Sequence, residues 1–178
     1  IERARYVPPP VPEMLEALGE FEKFLHTESQ LPFLVQLALI HYQFEAIHPC
    51  LDGNGRIGRL LISLLLCERN YLPQPLLYLS AYLERHRQEY ADHLLHVSLS
   101  GAWASWIRFF LQGVAEQAEE AIQRSERLQA LRNSYRERLQ TPRASVLLLR
   151  LVDQLFAFPA LTISQAARRL GVTYRSAQ

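Results

Sequence analysis

The stretch His48-Pro49-Cys50-Leu51-Asp52-Gly53-Asn54-Gly55-Arg56-Ile57-Gly58-Arg59 gathers an imidazole, a carboxylate, an amide side chain between two glycines, and two guanidinium groups. Gly53, Asn54 and Gly55 lead into a helical pattern, where unpaired backbone amides and the positive end of the helix dipole make a nest for an anion, most simply a phosphate. Glycine lets a phosphate oxygen approach those amides with no Cβ in the way, and it takes left-handed backbone angles at little cost. Arg56 and Arg59 are three apart, share a helix face, and offer two forked donors suited to a polyphosphate. Asp52 beside the nest supplies a hard oxygen for Mg2+, an ion that takes one or two carboxylates together with phosphate oxygens and water. His48 is the imidazole of the loop, a group suited to accept the proton of an incoming hydroxyl near neutral pH.

A purely structural account makes Asp52 a helix cap, Gly53 to Gly55 a tight turn and the arginines surface charges. It explains the turn, but a cap needs only one Asp or Asn. The Gly-Lys-Ser/Thr signature of a P-loop is absent, and Lys23 is the only lysine.

Two apolar helices must hold this loop. Phe33, Leu37, Ile40, Phe44 and Ile47 recur at helical spacing from Pro32 to Ile47, and the pattern stops at His48-Pro49. From Arg56 to Arg69 it resumes, with Ile57, Leu60, Leu61, Leu64 and Leu65 expected inward, and this second helix is expected to be the most buried. Pro49 should stiffen the exit of His48 and hold the base in one orientation.

Around this unit the chain reads as helical throughout, an all-α fold with few β-branched runs. Tyr6-Val7-Pro8-Pro9-Pro10-Val11-Pro12 is an extended lead-in, because each ring removes an amide donor and restricts the residue before it. An amphipathic helix is expected from about Pro12 to His26, and two long ones over 80–99 and 102–139, either of which could conceal a break. Seven Arg against two Glu between Gln123 and Arg150 are spread around a helix with Leu interleaved, which favours a solvated face over a nucleic-acid patch. After Pro142 a helix over 146–152 and another ending at Gly171, with Thr173 as the next N-cap, read either as the opening of a helix-turn-helix or as a plain helical hairpin.

Composition sets the outer limits. The chain has 178 residues, 49% hydrophobic and 21% charged, with a net charge of +1, so it can fill a core and exerts no whole-chain pull on nucleic acid or anionic membrane. The longest apolar run, Leu60 to Cys67, falls well short of the roughly 20 residues that cross a bilayer. A soluble protein is expected, without membrane contact. Cys50 and Cys67 lack CxxC spacing, which points to a reducing compartment and a cytoplasmic location. No zinc set is complete: His41 and His48, or His93 and His96, give at most two ligands each. The start at Ile1, without Met or signal core, reads as the middle of a longer polypeptide.

The motif closely resembles that of the Fic family of nucleotidyltransferases, His-Pro-Phe-x-Asp/Glu-Gly-Asn-Gly-Arg-x-x-Arg, with every fixed position matched except the Phe, here Cys50. Tyr6 to Pro10, His41 to Glu45, Leu77 to Ser80, Arg87 to Tyr90 and Trp106 to Leu111 also look like family landmarks, so the resemblance covers about 6–140. It implies a Fic-type helical core over 12–140 after a lead-in at 1–11, followed by an incomplete winged helix-turn-helix segment at 141–178. The implied activity is transfer of AMP from ATP to a Ser, Thr or Tyr hydroxyl of a target protein, with pyrophosphate leaving. His48 would be the base, Asp52 would hold Mg2+, and Gly53, Asn54 and Gly55 would form the anion hole. Arg56 and Arg59 would hold the outer phosphates, and Tyr90 would border the adenine pocket.

Three departures bear on these implications. Cys50 is smaller than the family's Phe, at a position expected to face the core, which would loosen the loop unless a neighbour fills the gap. Ala91 and Ala102 stand where relatives often have Tyr and Asp. An inhibitory helix, whose Glu would pair with Arg59, and a target-docking flap are both expected upstream of residue 1. Two other functions stay open on the sequence: a nucleotide-sensing regulator that binds DNA through the C-terminal segment, and a Fic-fold enzyme that uses another donor or removes AMP. A homodimer is likewise left open.

Overall fold

The computed structural model describes residues 6–139 and 146–178, and all regular structure among them is helical. The helices are α1 (Val11–His26), α2 (Phe33–Ile47), α3 (Asn54–Glu68), α4 (Leu79–Arg85), α5 (Arg87–Ser100), α6 (Trp103–Leu139), α7 (Val146–Ala157), α8 (Ile163–Leu170) and α9 (Tyr174–Ala177). The chain forms two compact units that divide between Ala121 and Ile122, inside α6. The boundary expected at 140/141 and the composition shift at Pro142 lie outside the described residues.

In the first unit α2, and not α3, is the most buried helix. One side of α2 sends Leu37, Ala38 and Tyr42 into a core shared with Ile62 and Leu66 of α3, Tyr82 and Leu83 of α4, Val97 of α5, and Trp106, Phe109 and Phe110 of α6. Its other side sends Ile40, Phe44 and Ile47 against Phe21 of α1. A helix apolar all round is stable only when covered on all sides. Trp106 is fully buried and its indole N–H donates to the Ala38 carbonyl at 3.0 Å, which ties α6 to the middle of α2.

The inward face of α3 also differs from expectation. Gly58, Ile62 and Leu66 are buried, four apart on one stripe, whereas Ile57, Leu60 and Leu64 are exposed. Gly58 decides this, because a Cβ there would lie 3.2 Å from Phe44 and 3.3 Å from His41, so only this face lets α3 approach α2 so closely. The helix expected over 80–99 is two helices. α4 and α5 meet at His86, whose ring packs on Tyr82 with centroids 4.5 Å apart. α6 is unbroken over its whole length.

In the second unit, Arg132 and Arg136 of α6 grip Asp153 of α7 at 2.7–3.0 Å, and these bonds hold the Asp153 carboxyl below the usual carboxylate range. Part of the arginine-rich stretch is therefore spent on ion pairs. Thr162 and Gln165 form a reciprocal capping box at the start of α8, Gly171 ends α8 in the left-handed region, and Thr173 caps α9. The two short helices follow one another across this turn, an order that a plain helical hairpin shares with the opening of a helix-turn-helix.

Candidate active site

His48 closes α2 in the left-handed region, at φ 52° and ψ 53°, an uncommon conformation for a residue with a Cβ. Its amide donates to the Phe44 carbonyl at 3.0 Å, and Pro49 follows, so the chain turns away at once. The ring Nδ1 lies 3.3 Å from the Glu45 carbonyl. A carbonyl can only accept, so Nδ1 carries the hydrogen, and the neutral ring presents the Nε2 lone pair outward. The end of α2 thus fixes both the position and the tautomer of the base.

Asn54 makes the loop rigid. It is 2% exposed, its Oδ1 accepts from the Cys50 amide at 2.8 Å, and its Nδ2 donates to the Cys50 carbonyl at 2.5 Å. Its side chain is spent on this closure, so Asn54 can serve an anion only through its main-chain amide. Gly53 is the N-cap of α3 at φ 85° and no side chain caps the helix, so Asp52 is not a cap. Asp52 instead accepts from Arg56 at 3.1 Å, with both side chains largely in solvent. The Ile57 amide bonds to the Gly53 carbonyl, which leaves the amides before it without acceptors in the helix. A Cβ on Gly53 would lie 3.3 Å from the Arg56 guanidinium, and one on Gly55 would lie 3.0 Å from that of Arg59. The two cations therefore lie across the glycines of the nest.

Behind the nest His41 and Glu45, which lie outside the motif, form a polar cluster with Tyr90 and Arg59. His41 is fully buried between Tyr90, Trp106 and Phe110, and its Nε2 lies 3.0 Å from the Tyr90 hydroxyl. Burial pulls its pKa down to about 4, so it is neutral at physiological pH. Glu45 has a 10% exposed side chain 4.0 Å from His41 Nε2. Burial raises its carboxyl above the usual range, while the charges of His48 and Arg59 and a hydrogen bond from Tyr90 work against that rise. Burial, then the Glu45 charge, push the Tyr90 hydroxyl well above its ordinary value. Tyr90 belongs to this cluster and is not part of the lining of the cavity beside His48. Its helical neighbours on α5 could not reveal this, because its partners come from other helices, His41 of α2 and Trp106 of α6 among them.

That cavity, of about 220 Å3, is lined by Tyr6, Tyr42, Glu45, Ala46, His48, Ala91, Leu94, Leu95 and Ser98. Its walls are mostly apolar, with His48 and Glu45 at one side. The Tyr6 hydroxyl donates to the Ala46 carbonyl at 2.7 Å and brings the lead-in onto α2. Tyr42 and Ser98, also of this lining, share a hydrogen bond of 3.0 Å.

Among the described residues no group of three or more His, Cys, Asp or Glu is placed to hold a metal ion. The arrangement still fits a hydrated divalent cation that arrives with phosphate, because Asp52 presents an exposed carboxylate beside an anion nest and Mg2+ draws most of its ligands from phosphate and water. No helix is long and apolar enough to cross a membrane among the described residues.

Residues 1–66 match the model of the Fic/DOC family. The chain is 33% identical over 119 residues to the protein adenylyltransferase fic-1 of Caenorhabditis briggsae, covering 65% of this chain and 21% of that protein. It is 31% identical over 122 residues to the protein adenylyltransferase fic-1 of Caenorhabditis elegans, covering 67% and 22%. The protein adenylyltransferase Fic of Aedes aegypti is 32% identical over 106 residues, covering 58% and 20%. The chain thus spans about a fifth of the length of the curated relatives it matches. Residues 1–66, which the family model matches, hold the whole His48 to Arg59 loop, all of α2 and all but the last two residues of α3, so this part of the chain is a segment of the Fic/DOC family.

Proposed function

We propose that this chain carries the catalytic core of a protein adenylyltransferase, which transfers AMP from ATP to a Ser, Thr or Tyr hydroxyl of a target protein and releases pyrophosphate. The observation that carries the reading is the outward Nε2 of His48, fixed by the left-handed end of α2 beside a glycine nest crossed by two guanidinium groups. His48 Nε2 takes the hydroxyl proton as the target oxygen attacks the α-phosphorus. The bond from the α-phosphorus to the bridging oxygen breaks, and pyrophosphate leaves with the electron pair. Arg56, Arg59 and the main-chain amides at the start of α3 hold the phosphates and offset the charge that develops on them. Asp52 is the residue that would hold Mg2+, an ion that supplies further charge neutralisation on the phosphates.

The nucleotide base enters the cavity beside His48, against Ala46, Leu94 and Leu95. Ala91 lines that cavity where relatives often carry Tyr, which leaves more room at the base. Two cysteines without CxxC spacing support a cytoplasmic setting for the reaction. Incubation with α-labelled ATP, Mg2+ and lysate tests the proposal: labelled protein bands that vanish with His48→Ala support it, and label seen only from γ-labelled ATP refutes it. Mass spectrometry of the product separates AMP from other transferred groups.

A second reading rests on the capped turn between α8 and α9, in which Thr173 caps a helix that stands where the second helix of a DNA-reading pair would stand. A salt-dependent shift of duplex DNA that survives His48→Ala would support it.

A further inference from the structure

Glu45 has one oxygen that the reaction described above does not use. Oε1 is buried with no hydrogen-bond partner, which is rare enough in a folded protein to call for a reason. It lies against the first turn of α3, where a Cβ on Gly58 would come within 2.6 Å of it and one on Gly55 within 3.9 Å. Gly55 also has the Arg59 guanidinium over it, so the carboxylate and the guanidinium flank the same residue. The Glu45 backbone carbonyl accepts a hydrogen bond from His48 Nδ1. Glu45 and His48 line the same cavity, so one side chain neighbours both the ring that takes the proton and the cation that binds the outer phosphates, from a site solvent hardly reaches.

We propose that Glu45 is a positioning residue of the site, whose buried carboxylate steadies the positive charge that His48 gains on accepting the target's proton, at the expense of weaker phosphate binding at Arg59. The inference rests on the transfer reading above and adds a residue to it. No proton moves to Glu45: the hydroxyl proton stays on His48 Nε2, and the carboxylate acts through its charge. The groups that face it are His41 and His48 from α2 and its end, Arg59 from α3 and Tyr90 from α5, with Tyr6 and Tyr42 along the shared cavity. His41 is neutral and brings no charge, Tyr90 favours the charged carboxylate, Arg59 is its cationic neighbour, and His48 becomes one on accepting the proton. A formal negative charge close to a phosphate-binding guanidinium weakens anion binding and favours an imidazolium, so the two effects have opposite signs in one residue.

Glu45→Gln keeps the shape and removes the charge. In the full chain, the titration of the His48 ring, followed by NMR of labelled histidine, moves to lower pH by about half a pH unit relative to wild type. In calorimetry, magnesium ATP binds about three- to tenfold more tightly. A purely packing role would leave the titration in place and loosen the nucleotide. A titration that stays put or moves to higher pH, or weaker nucleotide binding, overturns the proposal. If Glu45→Gln does not fold, Tyr90→Phe serves instead: it removes one of the groups that favour the charged carboxylate, and the His48 titration must move in the same direction. Neither readout needs turnover, so the outcome is separate from whether α-labelled ATP yields His48-dependent bands.

Discussion

The Tyr6 hydroxyl donates to the Ala46 carbonyl at 2.7 Å, joining the proline-rich lead-in to α2 two residues before His48. The same ring lines the cavity proposed for the base, so the lead-in forms one of its walls. Tyr6→Phe keeps the wall and loses the bond, and the KM for ATP is expected to rise about two- to fivefold. Tyr6→Ala removes the wall, and the rise is expected to be larger, about tenfold. Tyr6 lies at the surface, so both variants should melt within a few degrees of wild type. Steady-state kinetics over an ATP series, paired with thermal melts, checks the claim.

Two helical glycines should respond to alanine with opposite signs. At Gly58 a Cβ would press on Glu45, Phe44 and His41, and Gly58→Ala is expected to cost about 1–3 kcal/mol despite alanine's better helix propensity. At Gly19 in α1 nothing lies within 4 Å of the added atom, and Gly19→Ala is expected to gain up to about 1 kcal/mol. Urea denaturation of the pair reads the contrast directly.

His41 makes stability depend on pH. Its pKa is about 4 in the folded chain, against the ordinary 6.5, so the unfolded chain takes up a proton in this window that the folded chain refuses. Its contribution is present above pH 6.5 and lost as the pH falls toward 4, to an extent of about 3 kcal/mol. Glu45 is shifted the other way, which offsets part of the loss, so the test is the difference between wild type and His41→Gln. That variant should show a flatter dependence of unfolding free energy between pH 6.5 and 4.

The exposed groups of the loop should separate chemistry from stability. His48→Ala is expected to lower transfer by about 10²–10⁴-fold with little change in melting temperature. Asp52→Asn should raise the Mg2+ concentration needed for half-maximal labelling and abolish the ion pair with Arg56, which is too exposed to matter for folding. A magnesium titration of wild type and variant, with chelator as the blank, distinguishes the two effects.

The loop was legible because its chemistry is contiguous: imidazole, carboxylate, glycines and guanidinium groups follow one another within three turns' length of chain. The α-helices on either side were legible from Pro32, His48-Pro49 and the apolar spacing of α2. The packed face of α3 was not, since Leu60-Leu61-Ile62-Ser63-Leu64-Leu65-Leu66 is apolar at nearly every position and shows no preferred side. The side is chosen by Gly58, whose missing side chain admits α2. The break at His86 carries no Gly or Pro, so no residue type along the chain announces it. The cluster of His41, Glu45, Arg59 and Tyr90 draws on three helices, a proximity that no spacing along one helix could announce.

The grip of Asn54 on the amide and carbonyl of Cys50 has a consequence for how this turn tolerates change. A clasp that closes only on main-chain atoms is blind to what hangs from the α-carbon it holds. Residue 50 can therefore drift between a large ring and a small thiol while the turn keeps its contour, and the burden of invariance passes to the amide four positions on.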